Sequence, residues 1–137
     1  MTVAAESLNQ AIREQAVEVQ YLRREVELMS KVLDPSERVE KVIETSYDWE
    51  GLLAFTDRRL VFVRVPRFFG KPKVVSYPYG DITSVEVARP GPMLMVSIAG
   101  RRKPLSFTLI RSNAKHRDNE LADFLRGVVI GAARCQS

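Results

Sequence analysis

Gly51-Leu-Leu-Ala-Phe-Thr-Asp-Arg-Arg-Leu-Val-Phe-Val63 is the stretch on which the reading of this chain turns. Two apolar, β-prone runs, Gly51 to Thr56 and Leu60 to Val65, flank the polar triplet Asp57-Arg58-Arg59. Strand, polar break, strand predicts an antiparallel hairpin. The triplet is neither Asn-Gly nor Asp-Gly, the pairs favoured by two-residue loops, so the length of the turn stays open.

The same rhythm extends on both sides. Val39 to Thr45 is β-prone, though its alternation is imperfect, and Lys73 to Tyr77 predicts the next strand after the hairpin. Val85 and Val87 mark the apolar face of a strand near Thr83 to Ala88, and Pro90-Gly91-Pro92 breaks it. Met93 to Ala99 and Leu105 to Ile110 flank Gly100-Arg101-Arg102-Lys103-Pro104 as a last hairpin. Leu105, Phe107 and Leu109 alternate with Ser106 and Thr108, the pattern of a half-buried strand. A helix is predicted from about Ala114 to Ile130, capped by Ser112 or Asn113 and stopped by Gly131. Its stripe is Leu121, Phe124, Leu125 and Val128, at i, i+3, i+4 and i+7.

A run of short strands closed by one amphipathic helix predicts a mainly β domain. Its expected form is a bent antiparallel sheet of about seven strands, capped by the C-terminal helix. The 51–63 hairpin resembles the signature of bacterial pleckstrin-homology-like (PH-like) domains, the YokE-like group. Tyr77-Pro-Tyr-Gly-Asp-Ile-Thr-Ser-Val-Glu86 is similar to the next block of that family, in which an aromatic, an acidic residue and Ile lead into a strand. The Leu121 to Arg126 segment sits where the family places its capping helix. The resemblance covers about residues 35–130 and implies a PH-like barrel.

The N-terminal region lies outside it. From Ala5 to Leu33 there is no Gly or Pro. Leu8, Ile12, Gln15, Val19, Leu22, Val26, Met29 and Leu33 follow at alternating spacings of four and three, a heptad seam. Ile12, Val19, Val26 and Leu33 fall at a, and Leu8, Gln15, Leu22 and Met29 at d. β-Branched a residues with Leu at d favour a parallel dimer. A straight helix of this length would measure about 43 Å, against a diameter of about 34 Å for a domain of the remaining residues. That overhang favours an oligomer seam of Ile12, Val19, Leu22, Val26 and Met29. The competing reading is an amphipathic segment folded back on its own domain. The expected division is a helix at 1–34, ended by Asp34-Pro35-Ser36, and a PH-like domain at 35–137.

The 137 residues are 45% hydrophobic and 28% charged, a globular balance. The longest apolar run, Gly127 to Ala133, is far short of the ~20 residues that span a bilayer. The opening Met1-Thr-Val-Ala-Ala-Glu6 has no basic region and no apolar stretch of a secretory signal, and a single cysteine, Cys135, excludes a disulfide framework. The expected setting is cytoplasmic, with peripheral attachment to a membrane as a variant. The net charge of +4 hides an asymmetry: residues 1–50 sum to −5 and residues 51–137 to +9. The second part can meet an anionic partner.

Nothing in the sequence assembles a catalytic centre, a metal cage or a cofactor cradle. His116, the one histidine, sits in the charged turn Lys115-His116-Arg117, and Cys135 lies two residues from the end. Asp57 and Asp81 are the only carboxylates worth pairing, and no spacing joins them. Nucleic-acid binding is disfavoured because no helix-turn-helix, RNA-binding aromatic signature or zinc finger accompanies the basic charge.

The most suggestive segment is Pro66-Arg67-Phe68-Phe69-Gly70-Lys71-Pro72-Lys73. Adjacent side chains on an extended loop point in different directions, so at least one phenylalanine is expected outside, between cations. Arg67, Phe68, Phe69, Lys71 and Lys73 are therefore the candidate partner-binding residues. Arg101, Arg102 and Lys103 form a second basic turn, of the kind that more often serves solubility. Phosphoinositide-binding PH domains use a basic loop between their first two strands. The corresponding Ser46-Tyr47-Asp48-Trp49-Glu50 has two carboxylates and no cation, so the resemblance does not bring that ligand with it. The sequence predicts a non-enzymatic module that binds a protein and self-associates, without cofactor or metal. The alternative is a membrane-surface adaptor using loop 66–73.

Overall fold

The computed structural model describes residues 2–14, 19–45, 51–66, 68–88 and 93–110, with Asp123, Phe124 and Gly127. Side chains are described for all of these except 19–22, 87, 93, 94 and 107–110. Two helices, α1 (Val3–Glu14) and α2 (Val19–Val32), precede β1 (Val39–Thr45), β2 (Gly51–Thr56), β3 (Arg59–Arg64) and β4 (Lys73–Pro78). A 3-10 turn at Tyr79–Asp81 leads into β5 (Ile82–Ala88), β6 (Met93–Gly100) and β7 (Leu105–Ile110). The strands form a four-stranded sheet, β1-β2-β3-β4, and a three-stranded sheet, β5-β6-β7. The chain divides into two compact units, one from the described residues of 1–45 and 50–76, the other from those of 77–137.

In the first unit the hairpin at 51–63 forms as its sequence predicts. Leu52 pairs with Val63, Leu53 with Phe62, Ala54 with Val61 and Phe55 with Leu60. Every residue of β2 is buried, as are Leu60 to Val63 of β3. Burial on both faces explains why these runs are continuously apolar rather than alternating. Leu52, Ala54, Val61 and Val63 share a core with both helices and β1, while Leu53, Phe55, Leu60 and Phe62 are fully buried on the opposite face.

The helices supply one lid of that core. Ala4, Leu8, Ala11 and Ile12 of α1, and Met29 with Leu33 at the end of α2, are buried against Val39 and Val42 of β1 and the inner residues of β2 and β3. Thr2 caps α1, its hydroxyl accepting from the Ala5 amide at 3.0 Å. The heptad spacing predicts one rod from Ala5 to Leu33, and here the structure differs. A continuous helix would hold Ala4 about 40 Å from the end of α2. Instead the Ala4 amide donates to the Pro35 carbonyl at 3.2 Å, and the Val39 amide donates to the Ser7 hydroxyl at 2.8 Å. The chain therefore doubles back between α1 and α2, and no unbroken four-heptad seam exists. The physical reason is the sheet: its inner face offers the apolar stripe a covalently tethered partner, with no loss of translational freedom.

The second unit is simpler. Val85 pairs with Ile98 and Val87 with Val96 across β5 and β6, and Ile98 pairs with Leu105 across β6 and β7. Ile82, Val96, Ile98 and Leu105 are buried, whereas Ser97 and Ser106 meet on the other face with their hydroxyls 3.1 Å apart. The turn before Leu105 is tied to the 3-10 turn: Arg101 donates its amide to the Asp81 carbonyl at 2.8 Å, and Arg102 Nε reaches Asp81 Oδ2 at 2.8 Å. Gly100 makes this possible, because a Cβ there would collide with the Asp81 carbonyl. Of the predicted C-terminal helix, Asp123, Phe124 and Gly127 are helical, and Phe124 is half-buried. Its bounds and the rest of its stripe, Leu121, Leu125 and Val128, lie outside the described residues, as do His116 and Cys135.

Candidate functional site

Three polar or exposed constellations compete for attention, and all three lie in the first unit. The most buried is centred on Glu37, whose side chain is 1% exposed. Arg59 grips it with two bonds, Nε to Oε2 at 2.9 Å and Nη2 to Oε1 at 2.8 Å. The Thr56 hydroxyl donates to Oε2 at 2.7 Å, and the Asp34 amide donates to Oε1 at 3.0 Å. Arg59 also reaches Ser76 Oγ on β4 and the Val32 carbonyl that ends α2. Thr56 Oγ1 in turn accepts from the Arg58 and Arg59 amides, which closes the hairpin turn. Asp57 accepts from the Arg38 amide at 3.0 Å, so it serves backbone rather than chemistry.

Burial alone would push the Glu37 carboxyl up, but its bonds from Arg59, Thr56 and the Asp34 amide outweigh that and hold it below its ordinary value. The Glu37 hydrogen bond likewise raises Arg59 against the effect of burial. Asp34 is lowered by the side-chain and backbone bonds from Ser36. Both oxygens of Glu37 accept two bonds each. The cluster is a staple joining α2, the 34–38 turn, the hairpin and β4. Glu37 and Arg59 are 22 positions apart, so spacing does not pair them. The sequence carries no local signal for the pair, since Arg59 opens β3 just as Arg64 ends it.

The second constellation is an open groove of about 480 Å³ between α1 and the start of β1, with Glu6, Gln10, Glu14 and Arg38 among its lining. Its polar groups are partly spoken for, since Gln10 donates to Glu14 at 3.0 Å and Ser7 accepts from the Val39 amide. Among the described residues no cluster of His, Cys, Asp or Glu is arranged to hold a metal ion. No helix among them is long and apolar enough to cross a membrane.

The third is the segment joining β3 to β4. Phe68 is 88% exposed and Phe69 93%. The sequence leads one to expect at least one of the two outside; the structure puts both there. Val74, at the start of β4, is 43% exposed, and Lys71, Pro72 and Lys73 are exposed beside them. The root of the loop is fixed: the Val65 amide donates to the buried Glu25 carboxylate of α2 at 3.3 Å. Gly70, at φ 107°, provides the reversal that an L side chain rarely adopts. Between Asp57 and Asp81 the chain has six Lys or Arg and no acidic residue. Phe68, Phe69, Lys71 and Lys73 are each exposed along this segment, and Arg67 lies outside the described residues.

The predicted seam fares differently. Ile12 and Met29 are 6% and 0% exposed, and Val26 packs against the same core. Val19 and Leu22 belong to α2, but their side chains lie outside the described set. Of the second basic turn, Arg102 is paired with Asp81 in the other unit.

The sequence profile described as bacterial PH domain matches residues 33–126. No curated protein matches the sequence. Among solved structures, a DUF1696 family protein with a pleckstrin-homology domain from Shewanella loihica PV-4 is similar at 19% identity and a TM-score of 0.50. That match covers 76% of this chain and 96% of the other. A pleckstrin homology domain from Shewanella amazonensis SB2B is similar at 18% identity and a TM-score of 0.53, covering 80% and 98%.

Proposed function

Because this chain belongs to the bacterial PH domain family, we propose that it is a non-catalytic interaction module that docks through the β3–β4 loop, residues 66–73. The carrying observation is the exposure of Phe68 and Phe69 side by side. Monomeric proteins leave large aromatic side chains in water singly and incidentally; two adjacent ones on a braced tip mark a contact surface. The charged knot around Glu37 and Arg59 supports the same reading from the other direction, since its bonds are all internal. The α1–α2 hairpin serves as part of the module's own core, and self-association through Ile12, Val19, Leu22, Val26 and Met29 gives way to it.

The test is a photo-crosslinking residue placed at position 69 of the full chain in the producing cell, with the same residue at Gln10 as control. Adducts of any chemical class at 69, and none at 10, are the expected result. An adduct-free position 69 would overturn the module reading.

A further inference from the structure

We infer that α2 is a positioning arm for the docking loop and that Glu25 is the residue through which it acts, an inference that rests on the 66–73 loop being the docking surface. Glu25, Met29 and Leu33 are spaced four apart and so share one face of the helix, and all three are buried. Met29 and Leu33 join the core under β1–β3. One turn nearer the start of α2, the same face carries an acid.

Its bonding is unlike that of the other buried acid. Glu37 accepts four bonds. Among the described residues Glu25 accepts one, from the Val65 amide at 3.3 Å. A buried carboxylate with a single donor is costly to keep, and a methionine would fill the same space without that cost. What the acid contributes is the capture of this amide.

The captured amide lies where the sheet ends and the loop begins. β3 stops at Arg64, and Leu52 with Val63 is the last pair of its ladder with β2. Val65 follows, and its N–H goes to α2. Pro66 fixes its own φ and confines Val65 to extended backbone, so the direction set at this amide is passed on towards Phe68 and Phe69.

The helix is itself held where it can serve as a reference. Arg59, clamped to Glu37, donates to the Val32 carbonyl at 3.2 Å. Glu25 stands about 10 Å along the axis from that pinned end. The match to the family begins at residue 33, so the arm comes from outside the PH domain and the loop from within it. A shift of α2 on the sheet moves the root of the loop, and by reciprocity an occupant of the loop tightens α2.

The experiment follows amide hydrogen exchange in the full chain. In the wild type the Val65 amide should exchange with the slow amides of α2, such as Met29, and not with those of Phe68 and Phe69. Glu25→Met keeps the volume and removes the acceptor, so the Val65 amide should lose protection about tenfold. Chymotrypsin should cut after Phe69 faster by a similar factor, while the buried amides of β2 keep their wild-type exchange. Glu25→Gln retains an acceptor and should restore both readings. With the crosslinking residue at position 69, adduct yield should fall in the Met variant and recover in the Gln variant. Equal loss of protection in β2 and at Val65 would make Glu25 an ordinary core residue and overturn the inference. A Val65 amide that already exchanges with the loop in the wild type would overturn it too, without any variant having to fold. A loosened loop with unchanged adducts would overturn the coupling and leave the docking loop standing. No adducts in the wild type, with the loop still loosened by Glu25→Met, would overturn the docking reading and support Glu25 as the residue that places the loop.

Discussion

Met29 and Phe69 are both large apolar residues in charged stretches of sequence, yet one is wholly buried and the other 93% exposed. The difference is what the chain places opposite them. The stripe of α1 and α2 finds the inner face of β1–β3, where Val42, Leu52, Ala54 and Val61 complete a core. The phenylalanines between β3 and β4 find no such face and stand in solvent, in a segment with two prolines and a glycine at positive φ. A hydrophobic pattern states that a partner is needed. It does not state whose.

The most severe break of this comparison is a charge in the helical stripe. Met29→Lys places an ammonium where nothing polar waits, and should cost about 3–5 kcal/mol in a denaturant titration. Molar mass in solution should be unaffected by it. A large fall in molar mass with stability preserved would return α2 to the role of an oligomer seam.

Next in size is the staple beneath the stripe. Arg59→Ala strands Glu37 in the interior and should cost about 3 kcal/mol, the scale of breaking a buried pair from one side. Glu37→Gln should cost less, and the double change should cost clearly less than the two together, because they share one interaction. The pair also sets an acid limit. The Glu37 carboxyl is held below its ordinary 4.5 in the folded chain, so its contribution is complete above that pH. It is lost as pH falls through the lowered value. Wild-type stability should therefore decline below about pH 4.5, and Glu37→Gln should decline less. Parallel acid titrations of the two would contradict the ion-pair account.

How far the sequence announced this arrangement depends on the kind of interaction. Strand positions were legible where apolar runs end in turn residues: β1 at Val39–Thr45 and β7 at Leu105–Ile110 have the predicted bounds. The 66–73 tip was legible too, because two phenylalanines among cations and prolines have no strand or helix to join. The fold-back of the N-terminal region was not. A spacing of three and four serves a dimer seam and a sheet-packed pair of helices equally. Ala4 and Ala11, both buried, are the overlooked clue. Small residues on a helix face let it approach β1 closely, and a heptad count passes over them. Glu37 with Arg59 was invisible for another reason: a buried ion pair is made by the fold, and neither residue has a local signature.

A smaller effect sharpens the comparison at the tip itself. Gly70→Ala meets only ordinary contact, with Pro66 Cγ 3.5 Å from the new Cβ, but the backbone at φ 107° strains any L side chain. The expected cost is about 1 kcal/mol, with weaker docking through a displaced tip. Equal stability would show that the reversal relaxes freely and that the loop is not held in place.

The smallest expected effect is the most discriminating. Phe68→Ser and Phe69→Ser together remove two aromatic rings, a change that in the core would cost several kcal/mol. Both rings stand in solvent, so the folded chain gives up almost no contact, and thermal unfolding should move by no more than about 0.5 kcal/mol. The same double change in a buried pair such as Phe55 and Phe62, each 0% exposed, should abolish folding. If the tip variant proves as destabilising as a core substitution, the phenylalanines are packed in solution and the docking surface disappears with them. If it unfolds like wild type while its crosslinks at position 69 vanish, the rings have no role in the fold and their exposure belongs to what they bind.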